Sequence, residues 1–247
     1  MIIIPFRLRC FLTHLAISVL IALSVLAVVF FVWYPAPFAR VLGVSYIMWM
    51  MLAIDVVLGP LLTLLVAKQG KKTLKMDLAV IVLVQLVALA YGLYSIEKAR
   101  PIAVAYDVNR FEVVQKFMVQ TDTLDHPQLI QPFNQHQSIP FVFVKPAKDA
   151  EDFKQRMSDE LQHGISASSN PMLYEPLNQK NMAAIVENSR PIADLYQYND
   201  KAMVDEIKAR FPTADSYALV VSTNQNICAM IDSKSGEILQ LVNLRPW

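Results

Sequence analysis

Three apolar runs followed by a tail of soluble character predict a membrane bundle of three transmembrane helices joined to an exported α+β domain with an antiparallel sheet. Three observations carry this. The hydrophobic residues, 55% of the 247-residue chain, crowd ahead of Arg100. The runs at about 11–33, 44–66 and 78–96 each hold the roughly 17–25 residues that cross about 30 Å of hydrocarbon as a helix. Beyond Pro101 the pattern changes to short alternating strands and amphipathic helices. The chain therefore divides into a membrane domain, 1–98, and an exported domain, 99–247.

The first run follows Arg7 and Arg9, as a signal peptide would, but its apolar core reaches Trp33-Tyr34 and then Pro35 and Pro37. Signal cores end after about 7–15 residues, so this run is read as a permanent anchor. Trp33 and Tyr34 suit an aromatic belt at the membrane surface. Arg7 and Arg9 before the first span, and Lys68, Lys71, Lys72 and Lys75 between the second and third, outweigh the lone Arg40 of the first connection. The positive-inside rule then places the N-terminus in the cytoplasm and the C-terminal domain in the periplasm of a multi-pass inner-membrane protein. Cys10 and Cys228 fall on opposite sides and cannot pair. A net charge of +1 without a basic patch excludes a nucleic-acid partner and leaves the lipid bilayer as the first partner.

Inside the second run lies Asp55-Val-Val-Leu-Gly-Pro-Leu-Leu-Thr63. A carboxylate at bilayer depth costs about 2.5–3.5 kcal/mol even on lenient insertion scales, so it needs a partner or a task. Counting 1.5 Å per residue from the flanking charges puts Ser24, Asp55 and Gln85 at roughly 15–22 Å, and His14 and Thr63 at roughly 8 Å. These five residues form a predicted intramembrane polar network. Three readings of Asp55 stand: a hydrogen-bonding group that holds the bundle together, a receptor for a polar group on another protein's transmembrane helix, or part of a proton or ion pathway, which the few polar groups present disfavour. Pro60 removes a donor to the Val56 carbonyl, so the helix is expected to kink or loosen there, and Asp55, Gly59 and Pro60 together form a notch that a partner helix could approach.

In the exported part, strands are expected at 102–106, 111–119 and 139–144, helices at 150–163, 179–188 and 200–211, and a strand meander at 216–222, 226–231 and 237–244. Asp232 to Gly236 supplies a turn. The stretch 121–138, rich in Pro, Gln, Asn and His, reads as a long loop. Its Asp122, Asp125, His126 and His136 match no closed metal-site spacing, so no metal is expected. Phosphate-loop, dinucleotide, nucleophile-elbow and metalloprotease motifs are absent from the sequence. The chain is therefore not read as an enzyme, and no catalytic residue or cofactor is assigned.

Several segments together carry a resemblance: Tyr34-Pro-Ala-Pro-Phe38, the Asp55 to Thr63 segment, Asp77 with Gln85-Leu-Val-Ala-Leu-Ala-Tyr-Gly92, Ala99-Arg-Pro101, Asn109-Arg-Phe-Glu-Val-Val114, Asp232-Ser-Lys-Ser-Gly-Glu237 and Pro246-Trp247. In order and spacing the chain resembles the TfpX/TfpZ-type type IV pilin accessory proteins along its whole length. Asn109 departs from the aspartate expected before Arg-Phe. The resemblance implies a chaperone-like inner-membrane protein that helps a cognate major type IV pilin accumulate and enter the pilus by protection, extraction or hand-over to the pilus assembly platform. On this reading Asp55, Gly59 and Pro60 pack on the pilin helix, which carries a buried glutamate, while the exported sheet near 139–144 contacts the pilin head. Two bare carboxylates repel, so Asp55 and that glutamate share a proton or differ in depth. The alternative is a membrane-anchored periplasmic sensor or regulatory subunit acting through a partner. A transporter is disfavoured by the absence of paired hydrophobic repeats.

Overall fold

Long apolar helices are what these runs form. A computed structural model describes residues 5–119 and 139–247. The loop expected at 121–138, with Asp122, Asp125, His126 and His136, lies outside the described residues. Among the described residues the chain divides into a helical unit, the residues up to Pro35 with Gly43–Lys98, and a second unit, Ala36–Leu42 with Ala99–Trp247.

In the helical unit, α1 spans Phe6–Val28 and runs on through a π turn, Val29–Trp33. In the second unit α2 is the single turn Phe38–Val41. The helical unit resumes with α3, Val44–Val66, which Gly43 enters at φ 73°, a left-handed conformation that glycine adopts without strain. α4 is Leu74–Lys98. At its start Asp77 accepts from Thr73 and pairs with Lys71 at 2.7 Å, an acidic side chain where the helix dipole favours one. The three long helices are long and apolar enough to cross a membrane, and large side chains such as Leu20, Phe31, Leu65 and Val87 point outward from them.

The buried residues of α3 explain its central place. Val44, Met48, Leu52, Gly59 and Thr63 repeat at helical spacing and mark one face. α1 and α4 each lie along α3 and barely touch one another. A side chain on Gly92 of α4 would meet the Met51 sulfur of α3, so the glycine permits close approach. α3 is α-helical on both sides of Pro60. One expectation is corrected here. Tyr34 is buried, not part of a surface belt: its hydroxyl donates to the Ile96 carbonyl at 2.7 Å, satisfying one of the last carbonyls of α4.

The second unit is built on a mixed sheet ordered β4-β3-β1-β2-β6-β7-β8, with β5 beside β6. The strands are β1 (Pro101–Asp107), β2 (Arg110–Gln115), β3 (Phe141–Val144), β4 (Tyr174–Pro176), β5 (Arg190–Pro191), β6 (Ser216–Val221), β7 (Ile227–Asp232) and β8 (Glu237–Val242). Five pairings are antiparallel, while β1 with β3 and β2 with β6 are parallel. The parallel pairs join strands separated by long connections, which no local pattern announces. Helices α5 (Ala150–His163), α6 (Gln179–Glu187) and α7 (Lys201–Arg210) complete the unit.

Local chemistry sets these limits. Asp149 caps α5 by accepting from the backbone of Glu151 and Asp152, and Gly164 ends it at φ 67°. Asn178 and Asn181 form a reciprocal box at the start of α6. β2 stops at Gln115, short of the expected Val119, because the Gln115 side chain turns inward. Its amide donates to Ala99 O and its oxygen accepts from Thr223. Proline is tolerated in β4 and β5 because these are short strands at the sheet margin. One core gathers Leu195, Val204, Tyr217, Cys228 and Met230; another gathers Ala103, Ala105, Val114, Val142 and Tyr174. Buried Cys228 donates to Leu244 O, and burial pushes its thiol well up.

α2 belongs to this second unit by its bonds. Val41 O accepts from Gln225 N at 3.1 Å and from the Ser222 hydroxyl at 3.1 Å, and Phe38 and Val41 are buried. The connection between the first two long helices is thus held on the β6–β7 turn.

Candidate functional site

The polar residues of α3 follow its buried stripe: Leu52, Asp55, Gly59 and Thr63 are three, then four, then four residues apart, so they share a face. On that face lies a groove of about 460 Å³, with α3 as its floor and α1 and α4 as its walls. It extends along α1 from Arg9 to Ala22 and along α4 from Leu78 to Leu89.

At the Arg9 end, His14 Nδ1 and Thr63 Oγ1 share a hydrogen bond of 2.6 Å between α1 and α3. Farther along, Gln85 of α4 donates from Nε2 to the Asp55 backbone carbonyl at 2.9 Å. The Gln85 amide occupies the space that a β-carbon on residue 59 would need. Gly59 is therefore the reason a polar side chain from α4 can reach the α3 backbone one turn before Pro60. That turn already lacks one helical bond, since Pro60 has no N–H for the Val56 carbonyl.

The arrangement leaves two acceptors over. Asp55 Oδ2 and Gln85 Oε1 are buried and have no hydrogen-bond partner. A buried acceptor without a donor costs about 1–3 kcal/mol, more when charged. Both residues line the groove.

The structure brings together His14 with Thr63, and Gln85 with Asp55 and Gly59. It does not bring Ser24 to them. Ser24 is exposed and its hydroxyl donates to Leu20 O of its own helix at 2.9 Å. Equal depth does not mean equal face: Ser24 lies two residues, about 200° around the helix, from buried Ala22. The notch at Gly59 and Pro60 is also not open, for both residues are buried and the Gln85 amide sits in it. Sequence reasoning missed the pairing of Gly59 with Gln85, although the α3 stripe was readable from its spacing.

The second unit holds a smaller cavity of about 250 Å³ beside Glu112, Met118, Ser168 and Thr223. The Ser168 hydroxyl donates to Glu112, Tyr174 donates to Ser168 O at 2.5 Å, and the Ser222 hydroxyl is held by Val41 O and Gln225 O. Burial, with the Glu112 charge, pushes the Tyr174 phenol up. These hydroxyls are engaged in packing the domain. Among the described residues no group of three His, Cys, Asp or Glu side chains is placed to hold a metal ion.

Fold and groove define a class: a membrane protein with three helices of spanning length, a polar-floored groove among them, and a mixed-sheet domain after them. The profile described as Fimbrial assembly protein FimB matches residues 4–43, which contain α1, its π turn and α2. The chain is 26% identical over 230 residues to the fimbrial assembly protein of serogroup E1 from Dichelobacter nodosus, covering 88% of this chain and 87% of that one. To the serogroup I protein of the same organism it is 28% identical over 208 residues, 81% and 78% of the two chains. To the protein of serogroups C1 and C2 it is 33% identical over 113 residues, 45% of this chain and 86% of that one. The chain belongs to the fimbrial assembly protein family, in keeping with a type IV pilus accessory role for the group. No solved structure matches it.

Proposed function

We propose that the chain is an inner-membrane accessory protein that helps a cognate major pilin accumulate and be assembled into type IV pili, acting like a chaperone and without bond-making chemistry of its own. The observation that carries this is the similarity to the serogroup E1 fimbrial assembly protein across both units, 88% of this chain. In this reading the lysines and arginines at residues 7, 9, 68, 71, 72 and 75 stay in the cytoplasm, and the mixed-sheet domain works in the periplasm. The helical unit then meets the pilin while it is a membrane protein, and the domain meets the part already exported.

Deletion of this chain alone, with complementation in trans, tests the proposal. Steady-state pilin and surface pili are both expected to fall and to return with the complementing gene. Unchanged pilin level and pilus number in the deletion strain would sink it.

A further inference from the structure

The groove on α3 contains a chemical demand that the chain does not meet. Asp55 Oδ2 and Gln85 Oε1 are acceptors, both buried, both lining it, and both without a donor. Ile21 and Ala22 on α1 and Val82 and Leu86 on α4 form apolar parts of the wall, while Thr13, His14 and Ser18 of α1 also line the groove, with Arg9 and Cys10 at its far end. At about 460 Å³ the space is too small to enclose a helix of roughly 10 Å diameter, yet it accepts side chains from one face of a helix laid along it.

We infer that this groove seats one transmembrane helix of a partner protein, which presents a hydrogen-bond donor to Asp55 and Gln85. A lipid tail fills apolar volume but offers no donor, so it leaves both acceptors bare. A helix whose seated face is aliphatic except for one hydroxyl, amide, ammonium or protonated carboxyl fits the walls and the floor together. Interhelical polar contacts of this kind select a register, since the donor must arrive at one depth. That the partner is the pilin rests on the function proposed above; that a donor-bearing helix docks here does not.

The test is photo-crosslinking in whole cells from a probe at Ile21 or Val82 in the groove walls, against probes at Leu20 and Leu83 on outward faces. The wall positions are expected to capture one peptide, a transmembrane segment with a polar donor, and the outward positions are not. Asp55→Leu is expected to lower capture from Ile21 roughly tenfold at unchanged protein level, while Asp55→Asn, which keeps an acceptor, retains it. Capture of the pilin helix supports both proposals. A donor-bearing helix from another protein keeps the groove and removes the pilin. Capture of lipid alone, of a second copy of this chain, or equally from all four positions overturns the groove, as does full capture by Asp55→Leu.

Discussion

Gln85 occupies the place of the side chain that Gly59 lacks, and in that place its amide donates to the Asp55 carbonyl. α3 and α4 therefore meet through a glycine and a glutamine fitted to one another. Gly59→Ala should eject the amide and weaken the helix pair by about 1–2 kcal/mol, read as a lower unfolding midpoint in detergent. Gln85→Ala on top of it should restore part of the loss, because the added methyl then has room. Additive losses would refute the fit.

His14 and Thr63 tie α1 to α3 at the other end of the groove. Thr63→Val keeps the shape and removes the hydroxyl. A double-mutant cycle with His14→Leu should give a coupling of about 0.6–1.7 kcal/mol. A coupling near zero would mean that the helices are placed by packing alone.

Asp107 predicts a pH dependence of the second unit. Burial, and next the charge of Glu112, raise its carboxyl above the ordinary value, with Arg110 and Arg156 opposing. A raised acid favours the folded state only when protonated, so its unfavourable share is present at neutral pH and fades as pH falls toward about 4. Asp107→Asn should raise the melting temperature at pH 7, and the gain should vanish in acid. A gain that persists below the carboxylate range would assign the effect to something other than charge.

The β1–β2 turn holds Val108 at φ 55°, a left-handed backbone that β-branched residues rarely adopt, and the side chain is exposed. Val108→Asn should stabilise the unit by about 1 kcal/mol, since Asn tolerates that conformation and no packing is lost. Chemical denaturation measures it, and a destabilised variant would contradict it.

The bonds from Ser222 and Gln225 to Val41 O hold the short α2 connection. Gln225→Pro removes a donor and Ser222→Ala the other. Together they should speed trypsin cleavage after the exposed Arg40, while cleavage elsewhere in the second unit is unchanged. Equal cleavage rates with and without the substitutions would show that buried Phe38 and Val41 suffice.

Much of the architecture was legible because its signals are local. α5 emerges at the predicted residues from an aspartate cap, an amphipathic run and a C-terminal glycine. β6, β7 and β8 follow their alternation to within two residues. The parallel pairing of β2 with β6 was not legible, since the two meet only at Phe111 and Glu112 across a long stretch of chain. In the membrane helices, depth could be counted and the α3 stripe could be read from its spacing, but the facing of single polar residues on α1 could not. Ser24 and Asp55 share a level, yet Ser24 points away and bonds to its own helix. Gly59 read as an opening for a partner, whereas α4 fills it, because a glycine shows where a side chain is missing and not whose side chain takes the space.

The placement of Val41 has a consequence for biosynthesis. Its carbonyl waits for a serine 181 residues farther on. At roughly 5–20 residues per second, a ribosome needs about 10–35 s to cover that distance. A chain stopped early carries its first helical hairpin with an untethered bend, accessible to proteases. Only once Ser222 and Gln225 have been made can these bonds to the bend form.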